Sequence, residues 1–263
     1  MYIPGKKTLS ILIVSLLVIG SILTAGCVGL TDPTPREIMI RGNLISVDPA
    51  YIDTVFIWKL LLDPNSYEPE MFDAVDAYLD LDNPVVEMGT GIGALSAYIN
   101  DKLTMPVNQV SVEPNPYLFS LLEQTKKAND LGVTNIEKAV GYGSETVSIS
   151  VTSDITNNRI IRSDGVAVES VEVKTTTVKK VATDAGFSSN ITLVMNIVGY
   201  EHSVIQYEAE YLRQNVTTVI SAVYSDGRNT PESFLAKMKM IGFTEKSRVS
   251  AVGNGYVVMV FTK

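Results

Sequence analysis

Cysteine, histidine and tryptophan each occur once in this chain of 263 residues, as Cys27, His202 and Trp58. A single cysteine excludes an internal disulfide framework, and no metal centre is read from the sequence. Basic residues are scarce too: 21 Lys and Arg against 29 Asp and Glu give a formal net charge of -8, and nowhere do they form a block. A row of phosphates would find no complementary surface, which excludes nucleic acid as a partner. What is abundant is apolar content, 46% of the chain, enough for one substantial core in a single α/β domain.

The N-terminus departs from this soluble pattern. Lys6 and Lys7 precede an apolar run from Leu9 to Leu23, followed by Thr24-Ala25-Gly26-Cys27. This is the layout of a secretory signal, and small residues ahead of a cysteine resemble the lipobox of prokaryotic lipoproteins, which implies lipidation at Cys27. A leucine is usual three positions before that cysteine, where this chain has Thr24. The alternative is an uncleaved anchor, the run being close to the ~17 residues of a short spanning helix. Either way the segment 1–30 meets a membrane. Residues 31–59 then read as a tether and lead-in, and 60–263 as the domain.

From Val85 onward, strand-like runs alternate with amphipathic helical ones, the sign of a largely parallel sheet wrapped by helices. "VVEM" and "QVSVE" read as the first two strands and Ile136 to Val140 as a third. A Thr- and Val-rich insertion of one or two hairpins follows. Further strands are expected at Ile191 to Gly199 and Thr217 to Ser225, and the chain closes in two β-type runs joined by Gly253-Asn254-Gly255, an antiparallel hairpin. The helix in "YEPEMFDAVDAYL" is expected to cap the glycine loop from outside. Trp58, Met71 and Met88 read as packing residues.

The chemistry centres on "VVEMGTGIGALS", Val85 to Ser96. Gly89, Gly91 and Ala94 fit the G-x-G-x-x-G/A pattern of a nicotinamide or flavin site, with Glu113 about 20 residues on as the ribose acceptor. The same loop and acid suit S-adenosylmethionine. Three features favour that second ligand: Glu87 two residues before the first glycine, able to face a cationic amino-acid tail; the alternation Gly89-Thr90-Gly91-Ile92-Gly93; and the closing antiparallel hairpin.

In order along the chain, "YEPE" (Tyr67 to Glu70), the glycine loop, "VEPNP" (Val112 to Pro116), "NIEKAVGYGSETVSISV" (Asn135 to Val151) and "MNIVGYEHSVI" (Met195 to Ile205) resemble the FkbM family of S-adenosylmethionine-dependent methyltransferases. The resemblance spans about residues 60 to 262. It implies a Rossmann-like, seven-stranded methyltransferase sheet, mostly parallel with a C-terminal antiparallel hairpin. It also implies O-methylation of a small-molecule or sugar hydroxyl, and a donor pocket formed by Glu87, Gly89, Thr90, Gly91, Gly93 and Glu113 with Tyr67 and Ala139. Pro69 marks Tyr67 and Glu68 equally well as a helix start.

One motif departs from the family. Where its members usually read D-[IV]-E-G-x-E, this chain has Asn196-Ile197-Val198-Gly199-Tyr200-Glu201. Asparagine cannot take the proton a hydroxyl sheds, and valine has no polar atom. The remaining candidates for catalysis are Glu201, the adjacent His202 and Asn196 itself, and restoring both acids is expected to raise turnover. The charges flanking the apolar run, Lys6 and Lys7 against Arg36 and Arg41, place the domain outside the cytoplasm, away from where S-adenosylmethionine is made. Three readings follow: a membrane-anchored O-methyltransferase, an exported lipoprotein keeping the fold as a non-catalytic binding module, and a nicotinamide-dependent oxidoreductase.

Overall fold

A computed structural model describes residues 36–151, 159–160, 170–227, 229–251 and 255–263, all within the compact unit Pro35–Lys263. The N-terminal run, Cys27 and the Gly253-Asn254 part of the last turn lie outside the described residues.

The central sheet has seven strands: β3 (Val85–Met88), β4 (Gln109–Val112), β5 (Thr134–Ile136), β10 (Ile191–Met195), β11 (Val216–Tyr224), β12 (Thr244–Ser250) and β13 (Tyr256–Thr262). Their order is β12-β13-β11-β10-β3-β4-β5. Only β13 runs against its neighbours, pairing antiparallel with both β11 and β12. This is the expected α/β class, a mostly parallel Rossmann-like sheet closed by an antiparallel hairpin. Chain order reverses between β3 and β10, which are parallel neighbours, so this sheet has its topological switch point there.

Strands β3, β4, β10, β11 and β13 are buried on both faces, and the two-residue period sorts their side chains into two cores. Val85, Val194, Val258 and Val260 join one cluster, with helices Thr54–Leu62, Pro69–Tyr78, Ala94–Lys102 and Pro116–Ala128 on that side. Val86, Met88, Leu193, Met195, Met259 and Phe261 join the other, against helices Val178–Asp184, Glu201–Asn215 and Pro231–Met240.

Three sequence expectations change. Arg36 to Val47, read as lead-in, is folded: β1 (Arg36–Ile40) and β2 (Asn43–Val47) form an antiparallel hairpin that buries Ile38, Ile40, Ile45 and Val47. The outer edge of β2 is satisfied by side chains, the Leu44 N–H donating to Asn129 Oδ1 at 2.8 Å and the Ser46 N–H to Thr125 Oγ1 at 3.0 Å. The expected third strand is two, because the chain turns at Glu137-Lys138. After β5, Ala139 and Val140 form β6 (Ala139–Val140), which leaves the main sheet and pairs in parallel with β9 (Ser170–Thr176). β9 also pairs antiparallel with β7 (Thr146–Ser150), and β8 (Arg159–Ile160) completes a small sheet in the expected insertion. Finally, helix Pro69–Tyr78 packs on the sheet instead of over the glycine loop, with Met71, Phe72 and Val75 in the core. The residues before it, Tyr67 and Glu68, are the ones that reach the loop.

The inserted sheet is fastened by Glu208. This residue leaves helical geometry inside Glu201–Asn215, at φ -118° and ψ 17°. Its carboxylate accepts the N–H groups of Val178 at 2.9 Å and Lys179 at 2.6 Å, and the hydroxyl of Tyr142.

Candidate donor and acceptor cavity

The carboxyl ends of β3, β4 and β10 open into a cavity of about 820 Å³, within the range of ~300–1,000 Å³ typical of small-molecule sites. Gly89, Thr90 and Gly91 form its floor. Gly89 has φ +84° and a Cβ there would lie 2.0 Å from the Asn196 carbonyl oxygen, so only glycine lets β3 and β10 approach this closely. Gly93, at φ +82°, starts helix Ala94–Lys102 where a Cβ would meet Leu122 at 2.7 Å.

Three glutamates face this space, Glu87, Glu113 and Glu68, with Asp53 a fourth acid in its lining. Glu87 accepts from Gln109 Nε2 at 3.2 Å. Glu113 clamps the loop, accepting the Gly91 N–H at 2.9 Å through one oxygen and the Asn115 N–H at 2.9 Å through the other. Glu68 accepts from Asn196 Nδ2 at 2.8 Å, and the Asn196 oxygen accepts from the Tyr224 hydroxyl at 3.2 Å. Burial pushes all three carboxyls up to about 7, with hydrogen bonds opposing the rise in each case. The cavity is thus a protonatable anionic site that a cation would ionise.

Backbone strain collects at the same place. Glu68 (φ +42°) and Val198 (φ +47°) are non-glycine residues in the left-handed region, and both line the cavity. For a β-branched valine this costs on the order of 1–3 kcal/mol. Tyr67 reaches over the loop, its hydroxyl 3.5 Å from where a Gly91 Cβ would stand, and the buried Ala139 also lines the cavity.

The catalytic candidates read from sequence divide. Asn196 faces the cavity. Glu201 does not: it is wholly buried beneath the preceding turn, accepting the N–H groups of Ile197 at 3.2 Å and Gly199 at 3.1 Å. His202 is also outside the cavity wall. It is 2% exposed, packs edge-on against Phe234 with ring centroids 5.3 Å apart, and has Lys237 Nζ 3.4 Å from Nδ1. Burial, helped by Lys237, lowers it to about 4, so it is a neutral core residue and not a base for this site. Glu201 holds the motif's shape; Glu68 brings an acid to Asn196. Sequence reasoning gave Glu68 no catalytic part, because its partner is 128 residues away. It also missed Phe56, Lys59 and Leu60, which form one wall.

The acid pKa values fix a stability prediction. Glu68, Glu87, Glu113 and Glu201 all stand near 7 when folded, against 4.5 ordinarily. Between those values the folded chain holds more protons than the unfolded one, so stability falls as pH rises and levels off above 7. His202 acts in the opposite sense below 6.5 but is one group against four. The thermal midpoint without ligand is expected to be higher at pH 5 than at pH 8, by at least roughly 5 °C. Calorimetric scans across that range check this, and an equal or higher midpoint at pH 8 contradicts it.

No protein-family model matches the chain, and no curated protein matches it in sequence. Solved structures do. A Pyrococcus horikoshii protein described as a transferase is 16% identical over 88% of this chain and 72% of its own, with a TM-score of 0.52. TYW2 of P. horikoshii in complex with MeSAdo is 16% identical over the same shares, with a TM-score of 0.51. At this identity the likeness is one of fold.

Proposed function

We propose that the chain is an S-adenosylmethionine-dependent methyltransferase acting on a hydroxyl. The observation that carries this reading is the placement of Glu87 and Glu113 on either side of the glycine loop, at the switch point of the sheet, in one cavity. A fold-related structure crystallised with MeSAdo supports it, as does the order of motifs resembling the FkbM family. The segment before residue 31 would fix the domain to a membrane, with Cys27 as the lipidated residue or the run Leu9 to Leu23 as an anchor.

The residues present fit this donor. Glu113 has lone pairs left for ribose hydroxyls, and Glu87 supplies a buried charge for a cationic tail. Thr90 and the glycines let the ligand lie close to the backbone. When bound, the donor supplies an electrophilic methyl group on sulfur. Glu68 would take up the proton that the acceptor hydroxyl sheds on methylation. A carboxyl near 7 is well matched to that task. The Asn196 amide and the Tyr224 hydroxyl hold Glu68 in place. The acid missing from the Asn196-Ile197-Val198 segment is thus supplied from Tyr67-Glu68, which favours an active enzyme over a non-catalytic module.

Calorimetry with S-adenosylmethionine and with NAD tests the reading. S-adenosylmethionine is expected to bind and NAD not to. Glu113→Ala should weaken donor binding at least ~10-fold, since it removes a charge-assisted acceptor worth about 1.5–3 kcal/mol. Glu113→Gln, which keeps an acceptor for the loop, separates ribose recognition from loss of loop shape. NAD binding in preference, or wild-type affinity in Glu113→Ala, would reject the proposal.

A further inference from the structure

The wall of the cavity built by helix Thr54–Leu62 has an unusual outer side. Its sequence, TVFIWKLLL, is apolar almost all round. Ile57 and Leu60 are buried in the core, and Phe56, Lys59 and Leu60 line the cavity. The outer arc carries Trp58, Leu61 and Leu62, which are 38%, 37% and 83% exposed, and at its margin Val55, 61% exposed, which also lines the cavity. At 100° per residue these four and Thr54 form one continuous stripe. Trp58, read from sequence as a packing residue, stands on this outer side. So large an apolar patch on a surface helix marks a contact.

The occupant is indicated by chemistry and by chain length. No acidic residue interrupts the stripe, although the chain carries 29. Tryptophan and leucine beside a lysine that can keep its ammonium in water are the composition of a helix lying in a membrane interface. Nine residues span only about 13 Å, too short to cross a bilayer but sufficient to lie in its surface. Half-exposed Tyr51, stacked on Tyr117 with centroids 5.5 Å apart, adds aromatic groups just before the helix, as in the aromatic belts of membrane proteins. The apolar run ends at Leu23, and only residues 24–35 separate it from β1. Extended, that stretch reaches at most ~45 Å, so an anchored chain keeps its domain beside the bilayer.

We propose that helix Thr54–Leu62 seats its outer stripe in the bilayer surface and that the acceptor is a membrane amphiphile, its hydroxyl-bearing headgroup entering the cavity past Val55 and Lys59 while its apolar part stays in the lipid. The acceptor half rests on the methyl-transfer reading; the docking half does not. Because the helix is at once cavity wall and membrane face, the mouth of the site opens toward the surface that holds its substrate.

Trp58 is the only tryptophan, so its fluorescence reports on this helix alone. The full chain, reconstituted in phosphatidylcholine vesicles, is compared with and without brominated acyl chains. Quenching of Trp58 by about twofold or more is expected, with a blue shift. Leu61→Asp with Leu62→Asp, both outside the cavity wall, should abolish the quenching while the thermal midpoint stays near the parent value. Unquenched emission overturns docking, and a blue shift that follows protein concentration instead of lipid overturns it in favour of a second copy of the chain. For the acceptor, methyl-labelled S-adenosylmethionine is supplied with membranes of the source cell and the products are partitioned. Label in the organic phase supports the assignment. Label only in the aqueous phase, or none while calorimetry shows the donor bound, overturns it. Absent donor binding overturns transfer and acceptor class together, and the quenching still decides docking.

Discussion

Gly89→Ala is expected to destroy the site. An added Cβ would stand 2.0 Å from the Asn196 carbonyl oxygen and 2.8 Å from its carbon, and both are backbone atoms of the neighbouring strand's end that cannot rotate away. The residue also sits at φ +84°, which alanine adopts only with strain. Relief requires β3 and β10 to separate where the Asn196 N–H bonds the Met88 carbonyl at 2.9 Å, and it strains the Gly89 N–H bond of 2.8 Å to the Val112 carbonyl of β4 on the other side. A loss of several kcal/mol, seen as a thermal midpoint lower by roughly 10 °C or more, is the expected result, with no measurable donor binding. Gly143→Ala is the control: its φ is +83°, yet no atom lies within 4 Å of the added carbon. It should cost only the conformational share, about 1 kcal/mol. Equal losses in the two variants would show that backbone conformation, and not the strand approach, sets the cost.

Asn196→Asp is expected to weaken the protein, although the motif that this segment resembles has aspartate there. The Asn196 amide now donates to Glu68 at 2.8 Å. An aspartate has no such donor, so two carboxylates would face each other and share one proton, with the second lost only at high pH. The penalty should be small at pH 5 and about 1–3 kcal/mol at pH 8. Reading Asn196 and Val198 in isolation leads to the expectation that restoring both acids raises turnover, and the contact with Glu68 sets a stability cost beside it. Adding Glu68→Gln to Asn196→Asp exchanges amide and acid across the same contact and should recover most of the stability. Chemical denaturation at the two pH values provides the comparison. A wild-type midpoint for the single variant at pH 8 would mean that Glu68 is not held against Asn196 in solution.

The parts of this molecule legible in the sequence are those whose cause is local. The glycine spacing, Glu87 and Glu113 belong to a strand–turn–helix unit and the strand after it, and the strands of the central sheet announce themselves as apolar runs. The closing hairpin is likewise written in adjacent residues. What was not legible depends on distant partners. The hairpin Arg36–Val47 alternates only weakly in polarity and is completed by Asn129 and Thr125. Ala139 departs from the main sheet because Thr175, far along the chain, offers a parallel partner. His202 looks catalytic beside Glu201, but successive helical residues point about 100° apart; one is drawn under the turn and the other into the Phe234 packing. Glu68 and Asn196 acquire meaning only when the fold brings them together.

Glu208 sets an order on the chain's assembly. Helix Val178–Asp184 has seven residues, too few to persist alone in water, because the first turn costs more than its hydrogen bonds return. Its free N-terminal amides are met by a carboxylate from another helix, 30 and 29 residues later. That short helix is therefore expected to order only after β10 has paired and Glu201–Asn215 has docked, and φ-values near zero in β7 and β9 would be the sign of it. Ala139, in the strand that pairs with β9, would then belong to the same late step, so that the cavity wall it forms would close last.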